Sequence, residues 1–266
     1  MATALWESVD IEPDVIYGCK VGAAAIRIKY LLNDWYVSTE AADEGSADLA
    51  LKPLRGRRGQ EPTGWSRWTS GEESLKVQLV PALPDRPVVV RPEASIKIPA
   101  KQRASFFVSI PLWVRITAGE DHNMTLCEVP TTVLSKTWFG DTTSGEPGYS
   151  LKTRAMRDIS RVEPRASTAT CPVLINNAST LDLDFQRLCL HVENLALFRS
   201  ERRLWTNQVN VLYRGEAQAS QIDLSGNPPD LEGFLEKIAQ PRVRPDRNLL
   251  KKSFQVMRML TGLEGL

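Results

Sequence analysis

Residues 86–117 read RPVVVRPEASIKIPAKQRASFFVSIPLWVRIT, and their apolar pattern decides the fold class. Ile96 and Ile98 alternate with Ser95, Lys97 and Pro99, and Val114 and Ile116 alternate with Trp113, Arg115 and Thr117. A period of two is that of a strand with one buried face. Prolines at 87, 92, 99 and 111 cut the stretch into short strands or confine them to sheet edges, because proline has no N–H to give to a ladder. The segment therefore predicts an antiparallel β-protein.

The same pattern extends in both directions. Upstream, Leu75 to Val80 alternates cleanly, and two apolar runs flanking Asn33-Asp34 predict a hairpin within residues 15–40. Residues 41–73, rich in glycine, charge and tryptophan, read as a long surface excursion. Downstream, Thr131 to Trp138 and Tyr149 to Met156 are strand candidates with a polar loop between them. Leu181 to Phe185 and Leu188 to Val192 alternate, with a bulge expected at Gln186-Arg187. Leu204 to Tyr213 and Ala217 to Leu224 then complete a meander.

Helical spacing is confined to the end. Asp230 is placed to cap a short helix carrying Leu231, Phe234, Leu235 and Ile238, ended by Pro241. Asp246 is placed to cap a second, with Leu250, Phe254, Met257 and Leu260 as its apolar stripe. The predicted architecture is all-β: two antiparallel sandwich-like units, residues 1–128 and 129–228, and a short helical C-terminus at 229–266.

Composition sets broad limits. A chain of 266 residues with 42% hydrophobic residues can bury a sizeable core. A formal net charge of +1 gives little support to a polyanionic partner, so nucleic acid is unlikely to be the ligand. Charge gathers at the end, where six basic residues face Asp246 and Glu264 after residue 240. The first residues lack the basic start and apolar core of a secretory signal, and no run approaches membrane-spanning length, so a cytoplasmic protein without an integral membrane segment is expected. The four cysteines lack CxxC spacing and predict free thiols.

The strings IPLWVRI, TVLSKTWFGD, CPVLINN and LDLDFQRLCLHVENLALF resemble a prokaryotic family known as domain of unknown function number 432, over residues 15–225. The resemblance implies a β-rich microbial protein and brings no catalytic residues with it. It also leaves a membrane-protein partner, of the small mechanosensitive channel kind, as an expectation.

No phosphate-cradling glycine loop and no nucleophilic serine elbow is present. Arg57, Arg58, Trp65, Arg67 and Trp68 combine guanidinium forks with indoles and form a binding candidate in the first unit. Trp138 and Asp141 form another in the second. Cys189, His191 and Glu193 alternate along one strand face and are all zinc-ligating types, but Leu188, Leu190 and Val192 claim the core and leave them as an outward polar face. Asp141 with Glu146 reads as turn chemistry, and His122 with Cys127 as an unactivated pair. No metal and no cofactor is therefore expected.

The function expected from these residues is a non-catalytic binding or accessory module that displays loops to a protein partner, or self-associates through Leu250, Phe254, Met257 and Leu260. An enzyme or binder acting on carbohydrate or another small polar ligand is the alternative, and a nucleic-acid binder ranks third. A deep pocket holding converging carboxylates or Cys189 and His191 would favour the enzyme, whereas shallow loops and a symmetric apolar face would favour the module.

Overall fold

The computed structural model describes residues 4–43, 48, 50–54, 64–70, 74–140, 142–143, 145–185, 187–215, 221–225, 227–233 and 235–244. Among them the strands form five sheets, accompanied by three single-turn 3-10 helices and no α-helix. The stretch that opened the sequence reading folds as Val88–Pro92, Ile96–Ile98, Arg103–Pro111 and Trp113–Ala118. Val114 and Ile116 are fully buried, as their alternation requires. The expected hairpin is Ala24–Leu31 against Asp34–Ala41. Leu32 and Asn33 both take positive φ (50° and 63°), the paired left-handed conformation that lets a two-residue loop follow the strand twist.

Most pairings are antiparallel, but three are parallel. Thr168–Asn177 is the spine of the largest sheet, antiparallel to Arg103–Pro111 on one side and parallel to Leu204–Thr206 and Val209–Tyr213 on the other. The continuous strand expected over 204–213 is thus two strands, and the meander is interrupted. Asn207 lies between them: it is buried, its Oδ1 accepts from Ala196 N and its Nδ2 donates to Ser225 O, which ties the break to the two neighbouring segments. The third parallel pairing joins Glu146–Thr153 to Val88–Pro92, within a sheet ordered Ser135–Phe139, Glu146–Thr153, Val88–Pro92, Leu188–Leu190.

Strands before and after residue 128 pair with one another in three of the five sheets, and one hydrophobic cluster runs from Leu5 to Ile222. The break at Gln186-Arg187 is a change of sheet rather than a bulge: Leu183–Phe185 pairs with Ile96–Ile98, and Leu188–Leu190 with Val88–Val90.

The first C-terminal helix is corrected to a strand. Glu236–Ala239 adds to the edge strand Leu197–Arg199, Leu235 packs beside Ala196, Phe198 and Trp205, and Ile238 packs on the main core. An edge strand supplies backbone partners at once, whereas a short helix must first meet the cost of its own nucleus. The second helix, with Leu250, Phe254, Met257 and Leu260, lies outside the described residues.

Gly148 holds the parallel pairing together. A Cβ there would lie 2.7 Å from Pro87 O, the carbonyl that accepts the Tyr149 N–H at 2.8 Å. Gly148→Ala is expected to cost about 1–3 kcal/mol by this overpacking, read as a lowered urea midpoint at unchanged slope. An unchanged midpoint would contradict the described closeness of the two strands.

A candidate metal corner at the end of the mixed sheet

Val88, Val89 and Val90 are all fully buried, so the strand that carries them has no solvent face. Val88 and Val90 point into the main core with Leu188, Leu190 and Leu151. Val89 points the other way and packs with Cys189 and Phe139 in a small second cluster. Cys189 is thus corrected from outward-facing to wholly buried, while Leu188, Leu190 and Val192 lie in the core as expected. The physical reason is that Val89, Phe139 and Cys189 pack against one another on that second face and exclude water from it.

That face continues into a group of functional side chains. The strand Leu188–Leu190 ends in a 3-10 turn, Val192–Asn194, which brings Glu193 beside His191: Nδ1 lies 3.0 Å from Glu193 Oε1. Glu146, at the start of Glu146–Thr153, arrives from across the sheet. Its Oε1 lies 3.3 Å from His191 Nε2 and accepts from Cys189 Sγ at 3.8 Å. The three ligand-type atoms of Glu146, Cys189 and His191 all fall within 4.8 Å of one another. The His191 side chain is 14% exposed, Glu193 12% and Glu146 38%, so the corner opens to solvent only on the Glu146 side.

Electrostatically the corner is incomplete. His191 Nε2 is buried and within ion-pair range of Glu146, yet not aligned for a hydrogen bond, and Glu193 Oε2 is buried with no partner among the described residues. Burial lowers the His191 pKa, but the adjoining carboxylates of Glu146 and Glu193 outweigh it and raise the value to about 9. The neighbouring His191 imidazole holds Glu146 below the ordinary carboxylate range against its own burial. Burial first, then the charges of Glu146 and Glu193, push the Cys189 thiol far above its ordinary value. A thiol so placed is a poor nucleophile unless a cation joins it.

The other cysteines are no better activated. Burial raises Cys19 and Cys171 to about 12 and Cys127 to about 11. The His122 and Cys127 pair therefore carries no thiolate. His122 itself sits at positive φ (53°) in the turn that follows Gly119.

The remaining candidates are dispersed. Arg57, Arg58 and Asp141 lie outside the described residues. Arg67, on Ser66–Thr69, is held by the buried Asp34, its Nε donating to Oδ2 at 2.7 Å. Trp68 lies opposite Trp35 in the ladder and packs against the core, and Trp65 is half-buried just before the strand. Of this candidate group, the described Arg67 and Trp68 are thus engaged with the sheet. Trp138 is 48% exposed on the strand next to Glu146–Thr153. A shallow depression of about 240 Å³ lies on a different sheet, among Arg103, Leu174, Asn176, Asn210, Gln221 and Asp223.

Glu146 is the residue that sequence reasoning missed. No local spacing reveals it, because it joins Cys189 and His191 only through the parallel pairing of 149–153 with 88–92 and the antiparallel pairing of 188–190 with 88–90.

The histidine has a pH consequence. Its folded pKa of about 9 exceeds the unfolded value of about 6.5, so its stabilising contribution is complete below about pH 6.5 and is lost as pH rises through about 9. With a chelator present, the imidazole carbon protons of His191 should titrate near pH 9. The stability gap between wild type and His191→Ala should narrow from pH 7 to beyond that value. A midpoint near 6.5 would mean that the two carboxylates do not act on it.

No curated protein and no solved structure matches this chain. Among the described residues no helix is long and apolar enough to cross a membrane. The model of a family described as a protein of unknown function (DUF432) matches residues 5–258, nearly the whole chain, and the protein belongs to that family.

Proposed function

We propose that the protein is a binding module built around a single zinc-type site, with Cys189 Sγ, His191 Nε2 and Glu146 Oε1 as ligands and a fourth position for a small polar ligand. The observation that carries this reading is the spacing of the three atoms. Zinc bonds of about 2.0 Å to nitrogen and oxygen and about 2.3 Å to sulfur make tetrahedral edges of about 3.3 Å for N···O and about 3.5 Å for S···O. The corresponding separations here are 3.3 and 3.8 Å.

The surroundings agree with it. Glu193 on Nδ1 is the carboxylate that fixes the tautomer of a metal-bound imidazole and leaves Nε2 to the metal. A sulfur, nitrogen and oxygen set suits a borderline-soft ion rather than magnesium or calcium. A cation at the centre would also reverse the penalty on the Cys189 thiolate and neutralise the clustered carboxylates. The solvent-facing side, at Glu146, is where a fourth ligand enters. The non-catalytic module read from the sequence is kept and acquires a ligand-binding centre. The expectation of no metal is replaced, because it rested on spacing along the chain, and Glu146 lies 43 residues from Cys189.

Zinc titration of the chelator-stripped full chain, against a competing chromophoric chelator, tests this. One zinc ion per chain is expected. Glu193→Gln should weaken binding about 10- to 100-fold without abolishing it. Cys189→Ser and His191→Ala should weaken it further while the far-ultraviolet dichroism of the sheets is retained. Well under one ion per chain, or equal affinity in all variants, would refute the reading.

A further inference from the structure

The last described segment is a strap laid beside the metal corner. Glu236–Ala239 pairs with Leu197–Arg199, and the pairing of Ala239 with Leu197 fixes its register. Four residues further along each segment stand Val243 and Glu193. The Val243 N–H donates to Glu193 O at 3.0 Å, so this bond continues the same register past the end of the edge strand. Arg242 anchors the strap from the adjacent position. Its Nε donates to Leu83 O at 2.5 Å, its Nη1 and Nη2 donate to the two carboxylate oxygens of Glu128 at 3.0 and 2.5 Å, and its Cζ lies 5.7 Å from the centre of the Trp113 ring. The Arg242 and Glu128 side chains are 16% and 19% exposed, so this two-pronged pair is largely shielded from water.

What the strap holds is the turn that orients the histidine. The 3-10 turn Val192–Asn194 is closed by two backbone bonds, Asn194 N to His191 O and Leu195 N to Val192 O, and no side chain caps its start. Neither bond uses the carbonyl of Glu193. A single 3-10 turn has poor hydrogen-bond geometry and little stability of its own. This one must also keep the Glu193 carboxylate on His191 Nδ1 while Oε2 is buried with no partner, a cost that favours turning the side chain out to water. The carbonyl and the carboxylate of Glu193 share one Cα, so a bond to the first restricts where the second can go. Burial raises the Glu128 pKa, but hydrogen bonds from Arg242 and Arg115 outweigh it and hold the group below the ordinary carboxylate range, so the anchor keeps its charge at neutral pH.

We propose that residues 240–244 are a positioning strap for the corner, with Arg242 as the positioning residue: docked, they hold Glu193 on His191 Nδ1 and leave Nε2 beside Glu146 and Cys189. The effect on metal affinity rests on the zinc reading, whereas the effect on the imidazole does not. Coupling of this kind is reciprocal, so a zinc ion in the corner also holds the strap down, and lifting the strap loosens the metal.

The test measures zinc affinity of the chelator-stripped full chain by competition, together with the imidazole N–H resonances of His191 at one fixed pH. Arg242→Gln is expected to weaken zinc binding about 5- to 100-fold, within the usual range of coupling between sites and no more than Glu193→Gln does. In a Glu193→Gln background the same substitution should cost little more, because it acts through that carboxylate, whereas a merely structural role would give the same loss in both backgrounds. Arg242→Lys, which keeps the charge and loses the fork, should lie between wild type and Arg242→Gln. Val243→Pro deletes the N–H that reaches Glu193 and should reproduce the loss even if Arg242→Gln fails to fold; Val243→Ala keeps that N–H and should bind as wild type does. Zinc should in turn slow hydrogen exchange at the Val243 amide, and unchanged exchange would contradict the coupling. Wild-type affinity in both Arg242→Gln and Val243→Pro, or an equal loss in both Glu193 backgrounds, would overturn the strap. If the wild type takes up no zinc, the metal reading fails and the imidazole decides the strap: loss of the hydrogen-bonded Nδ1–H resonance in Arg242→Gln and Val243→Pro sustains it, and retention overturns it.

Discussion

The strand Val88–Pro92 is the constraint on which the rest of the candidate site depends. Its three valines are buried on both faces, and it receives Glu146–Thr153 in parallel on one edge and Leu188–Leu190 antiparallel on the other. Three side chains separated by 43 residues of chain meet only because both neighbours register on the same three valines. Val88 and Val90 tie the sheet to the main core, and burying each is worth about 1.5–3 kcal/mol. Val89, its cross-strand partner, packs beside Cys189. The chemistry at the sheet end is therefore positioned by hydrophobic packing rather than by a loop.

Much of the fold is legible in the sequence. Period-two alternation locates the strands of residues 88–118, and the hairpin at Leu32-Asn33 follows from two apolar runs around a short polar break. What alternation cannot report is which strand lies beside which. Parallel pairing leaves no local turn signal, so the partners of Glu146–Thr153 and Thr168–Asn177 are invisible until the sheet is assembled. The strand Glu236–Ala239 was masked by an i, i+3 apolar spacing that suits a helix equally well, and tertiary pairing decided between them.

The candidate site was half legible for the same reason. Cys189, His191 and Glu193 announce a zinc-ligating composition at alternating positions, and their grouping survives in the fold. Reading them as an outward polar face failed on Cys189, because Val89 and Phe139 pack beside it in a small hydrophobic cluster, and the site's third ligand-type residue, Glu146, read as a turn residue.

The corner gathers polar groups whose hydrogen-bonding requirements the described residues leave unmet. Zinc K-edge X-ray absorption of the loaded chain tests the metal claim most directly. The account predicts a four-coordinate first shell with one sulfur at about 2.3 Å and three nitrogen or oxygen neighbours at about 2.0 Å, with the imidazole outer-shell signature of a single histidine. A shell of oxygen and nitrogen without sulfur, or one unchanged in Cys189→Ser, would contradict it.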